Sequence, residues 1–489
     1  MDILINRKLY RDKVHACWIG KNIGGTMGGP FEGKPDLQDI HGYTTPKGEP
    51  LPNDDLDLQL VWLKAIKEVG AKGLNANILS WYWRRFIFAI WNEYGIGCNN
   101  VAHGITPPMS GELYNEHWRT SNGAWIRSEI WACLALGQPN IAAKYAIMEA
   151  SIDHGVSEGT AAEIFTAALE SMAFVETDLR KIVGKALTYI PEDCKVARYV
   201  KMVIEEYDKG TDWKEVRQKV VEMNTDLGFF QAPGNIAYVM IGLLYGEGDF
   251  LQSLIYAINC GDDADCTAAT VGSILGIMGG SASIPEDLKE YIGDRIITKT
   301  VDTAGFGGIQ KTCSELTEDV LRIMPLMMGE NEKYTQYTDK EDAPCVSSFA
   351  LDCDGYTHRY LAMKPFTTEH SNHWMAAAVS FDGEPRIAPN GELTFEVKLS
   401  NKMYNSYHLG IRVMTPSGWT AAHPKMVNVQ HFSASHDSNY VWHRRTNTEQ
   451  TFQITLTANE HTEAFNRVYI AVEATHYPEP LVIPVTVFG

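Results

Sequence analysis

Three aspartates lie within four residues, directly before a run of small and apolar residues. They are Asp262, Asp263 and Asp265, and the run with a helical pattern covers residues 267–276. Unpaired carboxylates repel one another, and a folded protein rarely places them against a close-packed helix unless a cation neutralises them. A hard divalent cation is the obvious candidate, because Mg²⁺ and similar ions select oxygen ligands. The segment therefore predicts a metal site at a helix start.

A second acidic segment lies far upstream, at Asn53, Asp54, Asp55 and Asp57, and apolar residues follow it at roughly helical spacing. Asn53 suits an N-cap and acids in a first turn suit the helix dipole, so capping alone could explain this cluster. If the two helix starts meet in the fold, four carboxylates converge. Such a cluster could hold one or two metal ions.

Together these segments resemble the ADP-ribosylglycohydrolase family. Its members combine an Asx/Thr-Asp-Asp helix start with a later Gly-x-Asp-x-Asp-(Ser/Thr) segment, here residues 261–266. They also carry an amphipathic helix that runs into a Gly-x-x-x-Gly-x-Pro-x-Glu loop, here residues 12–20 and 23–33. The similarity spans about residues 8–300 in the same order along the chain.

The resemblance implies a metal-dependent hydrolase with an all-α catalytic domain and two Mg²⁺ or Mn²⁺ ions. The implied metal ligands are Asn53, Asp54, Asp55, Asp263 and Asp265. The implied catalytic residues are Glu32, Asp55 and Asp263. Glu32 matches a loop glutamate that could act as general acid or orient the water, and a solvated loop acid is the alternative. Asp54 or Asp55 could act as the base.

The resemblance also implies a substrate pocket. Residues 119–127 resemble the family's Asn-Gly-x-x-x-Arg turn, which lines the ribose pocket, and His154 with Gly155 resembles its His-Gly step. We therefore expect Asn122, Gly123 and His154 to contact substrate. A turn-forming Asn-Gly pair and a hydrogen-bonded core histidine are the structural alternatives.

Three positions differ from the family pattern. Asn53 stands where many members have Thr, Gly25 where many have Asp, and Cys266 where members usually have Ser or Thr. A thiol is a poor ligand for Mg²⁺ and a better one for softer ions. Either one ligand is lost, or the metal preference moves towards Mn²⁺ or Zn²⁺, or Thr267 takes the place of residue 266.

Composition narrows the class of protein. The 489 residues carry a net charge of −19, which argues against broad nucleic-acid binding and against attraction to anionic lipid. No apolar run has the length of a membrane span, and the first residues lack a signal-peptide core. Nine cysteines without a CxxC pair favour reduced thiols. We expect a cytoplasmic protein.

The patterning predicts a multidomain chain. Residues 1–328 show helical patterns, with long runs at 138–174 and 192–223, and form the expected catalytic domain. Residues 329–345 are polar and read as a linker. Alternation of period two in residues 346–489 predicts an antiparallel β-sandwich, and residues 415–419 loosely resemble Ig-like modules found beside bacterial glycoside hydrolases.

The sequence therefore predicts cleavage of a ribosyl glycosidic bond of the ADP-ribosyl type, by attack of a metal-positioned water at the anomeric carbon. The substrate would be a small molecule or an ADP-ribosylated group. One alternative is a glycoside hydrolase acting on furanosyl oligosaccharides or glycosides, with the sandwich as accessory module. The second alternative is a nucleotide or sugar binder without catalysis.

Overall fold

The computed structural model describes residues 2–403, 405–430 and 448–489. They form two compact units. The first unit, called the helical unit, comprises the chain up to Cys98 together with Tyr114–Ala362. The second, called the sheet unit, comprises Asn99–Leu113 and Met363–Gly489. The predicted fold class, a helical domain followed by antiparallel sheets, is confirmed.

The helices account for most of the helical unit. In chain order they are α1 (Arg7–Gly28), α2 (Asp54–Val69), α3 (Ala76–Phe86), α4 (Asn92–Ala102), α5 (Met109–Glu112), α6 (Glu129–Leu134), α7 (Pro139–Ala150), α8 (Glu158–Ala173), α9 (Leu179–Ala186), α10 (Lys195–Asp208), α11 (Trp213–Met223), α12 (Ala232–Tyr245), α13 (Phe250–Asn259), α14 (Ala264–Gly279), α15 (Glu286–Ile292), α16 (Thr303–Phe306), α17 (Cys313–Glu330) and α18 (Tyr356–Leu361). Helix α5 and the end of α4 belong to the sheet unit.

Each of the two long helical runs divides into two helices. The run 138–174 forms α7 and α8, and the turn between them contains His154 and Gly155. The run 192–223 forms α10 and α11, separated at Gly210. Gly155 and Gly210 have φ of +59° and +73°, a backbone conformation that glycine adopts without strain and that commonly ends helices.

Helices α1 and α14 pack backbone against backbone. Three glycines of α1 each face the main chain of α14 so closely that a Cβ would overlap a carbonyl oxygen. The facing pairs are Gly20 with Gly272, Gly24 with Ala268 and Gly28 with Ala264. The pairing order makes the helices antiparallel, so the end of α1 lies beside the start of α14.

The glycines at 24, 25 and 28 were expected in a loop after the first helix, and this expectation is wrong. They lie in the last two turns of α1, which continues to Gly28 before a short turn at Gly29–Phe31. Gly24 and Gly28 make a close contact with α14 that only residues without a side chain permit, and Gly25 faces Asn53. The loop that carries Glu32 therefore starts at the end of this contact.

The segment predicted to be a linker contains a strand. Strand β2 (Thr335–Thr338) pairs in parallel with β1 (Ile3–Asn6), with Ile3 opposite Thr335. Both strands belong to the helical unit. The domain boundaries given above from composition stay a prediction.

The sheet unit contains two antiparallel sheets. Its strands are β3 (Thr367–Ser371), β4 (Met375–Ser380), β5 (Glu392–Asn401), β6 (Tyr407–Met414), β7 (Thr420–Ala422), β8 (Met426–Val429), β9 (Glu449–Thr457), β10 (Phe465–Ala474) and β11 (Leu481–Phe488). One sheet has the order β3-β4-β5-β9-β7 and the other β11-β10-β6-β8. The predicted alternation is confirmed, because residues such as Val397, Leu456 and Ile470 are fully buried between the sheets.

Residues 99–113 contribute to the same apolar core. Ile105, Met109 and Leu113 pack with the inward-facing side chains of both sheets. The carbonyl oxygen of Gly104 accepts hydrogen bonds from Arg467 Nη1 and from Thr486 Oγ1, each at 2.6 Å. The sandwich is thus completed by a segment that precedes it in sequence by more than two hundred residues.

Among the described residues, no single helix is long and apolar enough to cross a membrane. By length and composition alone, the bent pair Ala264–Ser283 and Glu286–Ile292 would pass such a test together.

Candidate metal centre

The acidic starts of α2 and α14 meet in the helical unit. One ligand atom each from Asp55, Asp265 and Cys266 lies within 4.8 Å of the others, and the same holds for Glu32, Asp263 and Asp265. Asp265 belongs to both groups. Two segments that are two hundred residues apart in sequence thus form one cluster of oxygen and sulfur donors.

Asn53 caps α2, as its residue type predicts. Its Oδ1 accepts a hydrogen bond of 2.8 Å from the backbone N–H of Asp55. Its Nδ2 faces Gly25, where a Cβ would overlap the amide. Two of the differences from the family pattern therefore belong together, since Gly25 leaves the space that the larger Asn53 side chain fills. The ligand role of Asn53 stays a prediction, and its oxygen already serves the cap.

The aspartates of α2 differ in their partners. Asp54 is half-buried and accepts a hydrogen bond of 3.2 Å from Tyr94 Oη. Asp55 is fully buried, accepts a hydrogen bond of 3.2 Å from Cys266 Sγ, and lies 3.7 Å from Lys21 Nζ. Lys21 also binds Glu129, at 2.7 Å. A buried lysine thus partly neutralises the inner side of the cluster.

Asp57 fastens a loop. Its Oδ2 accepts hydrogen bonds from the backbone N–H groups of Lys299 and Thr300 at 2.6 and 2.9 Å, and from the Thr300 hydroxyl at 3.0 Å. The residue is fully buried. Its carboxylate positions the loop beside the start of α2.

Asp262 fastens the loop that carries Glu32. Its carbonyl accepts from the N–H of Gly33 at 3.0 Å, and its own N–H donates to the carbonyl of Lys34 at 2.7 Å. The residue adopts φ of +66°. Its Oδ1 accepts from the N–H of Phe230 at 2.9 Å. These bonds hold the exposed Glu32 side chain next to Asp263 and Asp265.

Asp263 and Asp265 differ in the hydrogen bonds that their carboxylates accept from the protein. Asp263 Oδ2 accepts a hydrogen bond of 2.6 Å from Asn122 Nδ2. Asp265 is 6% exposed, and its Oδ1 has no hydrogen-bond partner among the described residues. Burying a carboxylate oxygen without a partner is costly. The unsatisfied oxygen and the surrounding carboxylates therefore fit a divalent cation.

Two of the three residues expected to contact substrate, Asn122 and Gly123, lie beside buried acids. Asn122 is buried and also accepts from Trp125 Nε1 at 3.1 Å, so its amide orients Asp263. The N–H of Gly123 donates to Glu93 Oε1 at 3.2 Å, and a Cβ there would overlap that carboxylate. Substrate contact by Asn122 and Gly123 stays a prediction.

His154 lies elsewhere in the buried network. Its Nδ1 is 2.9 Å from Asp153 Oδ1, and its Nε2 is 3.5 Å from Ser121 Oγ. The side chain has no exposed surface. The structure thus surrounds His154 with protein and does not bring it into either donor group.

The family model described as ADP-ribosylglycohydrolase matches residues 6–322. The chain belongs to the ADP-ribosylglycohydrolase family. The match includes both acidic segments and ends before residues 363–489. Membership identifies a hydrolase.

Two further comparisons complete this result. No match was found among curated proteins. A similar solved structure is that of a FixG-related protein from Vibrio parahaemolyticus, with 10% identity and a TM-score of 0.18, covering 26% of this chain and 97% of that one.

Burial and mutual repulsion raise the pKa values of the acids in this centre. Burial raises the pKa of Asp265 to about 6, and burial together with the Asp265 charge raises the pKa of Asp263 well above its usual range. The Asp265 carboxylate, followed by burial, raises the pKa of Glu32 to about 8. A bound cation would relieve this repulsion and return these pKa values towards their ordinary range.

Sequence reasoning missed several residues that shape the centre. Lys21, Tyr94 and Glu129 each touch an aspartate of α2 or its partner. A lysine that directly follows Gly20, on a helix rich in small residues, was a usable signal for Lys21. Tyr94 and Glu129 gave no local signal, because their positions depend on tertiary contacts.

Proposed function

We propose that this protein is a metal-dependent glycosidase-type hydrolase that cleaves a ribosyl glycosidic bond of the ADP-ribosyl type. One observation carries the proposal. The starts of α2 and α14 and the loop with Glu32 contribute to two donor groups, each spanning no more than 4.8 Å, that share Asp265. Family membership supports the hydrolase class, and the donor chemistry supports the metal dependence.

Asp54, Asp55, Asp263 and Asp265 would hold one or two ions, with Mg²⁺ or Mn²⁺ as the expected metals. Bound there, the cations would supply positive charge that holds the ribose hydroxyls and polarises the attacking water. Asn122 and Lys21 would keep Asp263 and Asp55 in position through the contacts described above. Cytoplasmic location remains part of this proposal.

Glu32 would handle the proton at the leaving group. Its side chain is exposed while its loop is fixed by two backbone hydrogen bonds to Asp262, so it can reach a bound substrate without moving the loop. In this role its carboxyl donates a proton to the departing atom or orients the water. Asp54 or Asp55 would accept the proton of the attacking water.

Turnover on two substrate panels tests the proposal. ADP-ribose release from ADP-ribosyl-arginine is compared with hydrolysis of aryl furanosides, each with Mg²⁺ or Mn²⁺. We expect activity on the first panel, and Asp263→Asn should reduce it by about 100-fold or more, because losing a ligand costs at least as much as losing a group that supports one. The exposed Glu192→Gln is the matched control and should leave turnover unchanged.

Each contrary outcome supports an alternative function or contradicts the proposed centre. Activity confined to the furanosides supports the alternative glycoside hydrolase, which the net charge of −19 favours because an uncharged substrate avoids repulsion. Binding of ADP-ribose without turnover on either panel supports the non-catalytic binder. Full activity of folded Asp263→Asn, with the fold verified by circular dichroism, contradicts the proposed centre.

A further inference from the structure

The residue after the second aspartate of α14 distinguishes this chain from the family pattern. The sequence left three explanations for Cys266: a lost ligand, a changed metal preference, or replacement by Thr267. Thr267 is fully buried, and its Oγ1 donates to the carbonyl of Ala264 at 3.2 Å. Its hydroxyl hydrogen is thus engaged within the helix.

Cys266 does point into the cluster. Its Sγ lies 3.2 Å from Asp55 Oδ1, and the side chain is 6% exposed. The sulfur and one oxygen each of Asp55 and Asp265 lie within 4.8 Å of one another. Donors that share a cation each lie about 2.0–2.3 Å from it, so this span is close to what one ion can hold. This geometry therefore favours ligation by Cys266 over the loss of a ligand.

A second observation shows that the same place suits a positive group. Asp265 Oδ1 is buried and has no hydrogen-bond partner among the described residues. Asp55 Oδ2 likewise accepts no hydrogen bond there, with Lys21 Nζ at 3.7 Å. Two buried carboxylates thus lie beside one thiol, and the protein compensates their charge only in part.

The two donor groups are chemically different. Glu32, Asp263 and Asp265 offer oxygen only, whereas Asp55, Asp265 and Cys266 offer oxygen and sulfur. Oxygen-only sites suit Mg²⁺ and Mn²⁺, and a thiolate selects softer ions such as Zn²⁺ or Co²⁺. Asp265 would bridge the two positions.

We propose that Cys266 is a metal ligand, and that the Asp55–Asp265–Cys266 position takes a thiophilic divalent ion while the all-oxygen position takes a hard one. This inference rests on the metal dependence proposed above. When the ion binds, the S–H bond breaks, its proton leaves to solvent, and a sulfur–metal bond forms in place of the hydrogen bond to Asp55. No change of oxidation state is involved.

Titration of the metal-free protein with Co²⁺ tests the inference without an activity assay. A sulfur–cobalt bond gives an intense charge-transfer absorption in the near ultraviolet. We expect this band in the wild type, and we expect it to be absent from Cys266→Ser and Cys266→Ala. Equilibrium dialysis should show that the Cys266→Ser substitution lowers the affinity for Zn²⁺, relative to the affinity for Mg²⁺, by about 100-fold or more.

Two variants control the measurement. Cys98→Ser removes a different, partly buried thiol of the helical unit and should keep the band. Thr267→Val should also keep it, because the Thr267 hydroxyl bonds within α14. Persistence of the band in either folded Cys266 variant, or its absence from the wild type with Co²⁺ bound, overturns the inference.

The outcomes separate this inference from the proposed function. A wild type that binds no divalent ion by dialysis overturns both. If the band depends on Cys266 but the protein hydrolyses none of the glycosides, the ligand role of Cys266 is supported. Only the proposed substrate is then contradicted. Loss of Mg²⁺ binding in Asp263→Asn with the cobalt band retained supports two separate positions.

Discussion

The helical unit and the sheet unit bury very different side chains. Buried ionisable groups of the helical unit include Lys21, Asp55, Asp57, Glu93, Arg127, Glu129, Glu149, Asp153, Glu163, Glu170, Asp263 and Asp265. Among the described residues of the sheet unit, the buried polar side chains are Asn100, Ser110, Thr367, Thr368, His370, Asn401, Thr448 and Asn466, and none is Asp, Glu, Lys or Arg. Burying charge is costly. The helical unit bears that cost, while the sheet unit keeps an apolar core.

Two cations organise the buried acids of the helical unit. Lys21 contacts Asp55 and Glu129. Arg127 binds Glu149 and Asp153 at 2.7 and 2.8 Å, and its guanidinium lies 4.7 Å from the centre of the Trp83 ring. The acids outnumber these cations, and burial raises the pKa of several of them, among them Glu163 and Glu170, well above the usual range. This contrast can be tested by substitutions in each unit.

The largest effect is expected from Lys21→Met. It leaves Asp55 and Glu129 as buried acids without their cation, which should cost about 3–5 kcal/mol of the free energy of unfolding. Urea unfolding of the metal-free protein measures this loss. Lys181→Met, at an exposed lysine paired with Glu176, is the control and should change nothing measurable. Equal stability of Lys21→Met and wild type would mean that the acids are neutral in the folded protein.

In the sheet unit, a comparable loss of stability should come from truncating a buried apolar side chain. Leu456 in β9 is fully buried, so Leu456→Ala should cost about 3 kcal/mol through lost burial and a cavity. Hydrogen exchange measured on peptides should show faster exchange in β5 and β9. Cation affinity should be unchanged, and a weaker affinity would contradict the separation of roles between the units.

Acid should destabilise the sheet unit through His370. Burial lowers the pKa of this histidine to about 4, whereas its ordinary value is about 6.5. Below pH 6.5 the unfolded chain therefore binds more protons, and stability falls as the pH drops towards 4, by up to about 3 kcal/mol. Exchange of sheet-unit peptides at several pH values checks this. His370→Gln should remove this part of the pH dependence.

In the helical unit, Asp57 should make the free energy of unfolding depend on pH in the opposite direction. Burial raises the pKa of Asp57 to about 6, so the folded state binds more protons between the ordinary value and pH 6. Its contribution to stability is therefore largest at low pH and is lost as the pH rises through 6. Asp57→Asn in the metal-free protein should flatten this slope. An unchanged slope would assign the effect to other carboxyls.

The smallest effect concerns glycines within the helical unit. Gly24→Ala should cost about 1–3 kcal/mol, because a methyl group there overlaps the backbone of α14. Gly184→Ala is the matched control: Gly184 lies within α9 with nothing near its Cβ position, so alanine should stabilise by about 0.5–1 kcal/mol. Thermal unfolding compares the two. Equal shifts would contradict backbone contact between α1 and α14.

Sequence patterns anticipated what local chemistry determines. The acids at 54–57 and 262–265 were visible because like charges rarely cluster at two helix starts without a reason, and β5 and β9 were visible from their alternation. The Asn53 cap followed from residue type alone. These features depend on neighbours along the chain.

What remained hidden depends on partners distant in sequence. Nothing near Asp57 indicates that it binds the loop at Thr300, and nothing near Asn122 indicates its bond to Asp263. The glycines near the end of α1 were interpreted as a loop, because the sequence does not show that α14 packs against the backbone of this helix. Cys266 showed that the site departs from the family pattern, but the sequence does not show the distance to Asp55 on which its proposed ligand role rests.

The participation of residues 99–113 in the sandwich has a practical consequence for dissection of the protein. A gene fragment encoding only residues 363–489 would lack Ile105, Met109 and Leu113 and would expose a gap in the hydrophobic interior. The donors on Arg467 and Thr486 would also lose the Gly104 carbonyl. Separate expression of the sandwich therefore requires supplying this short stretch, either as a fused segment or as a peptide added in trans.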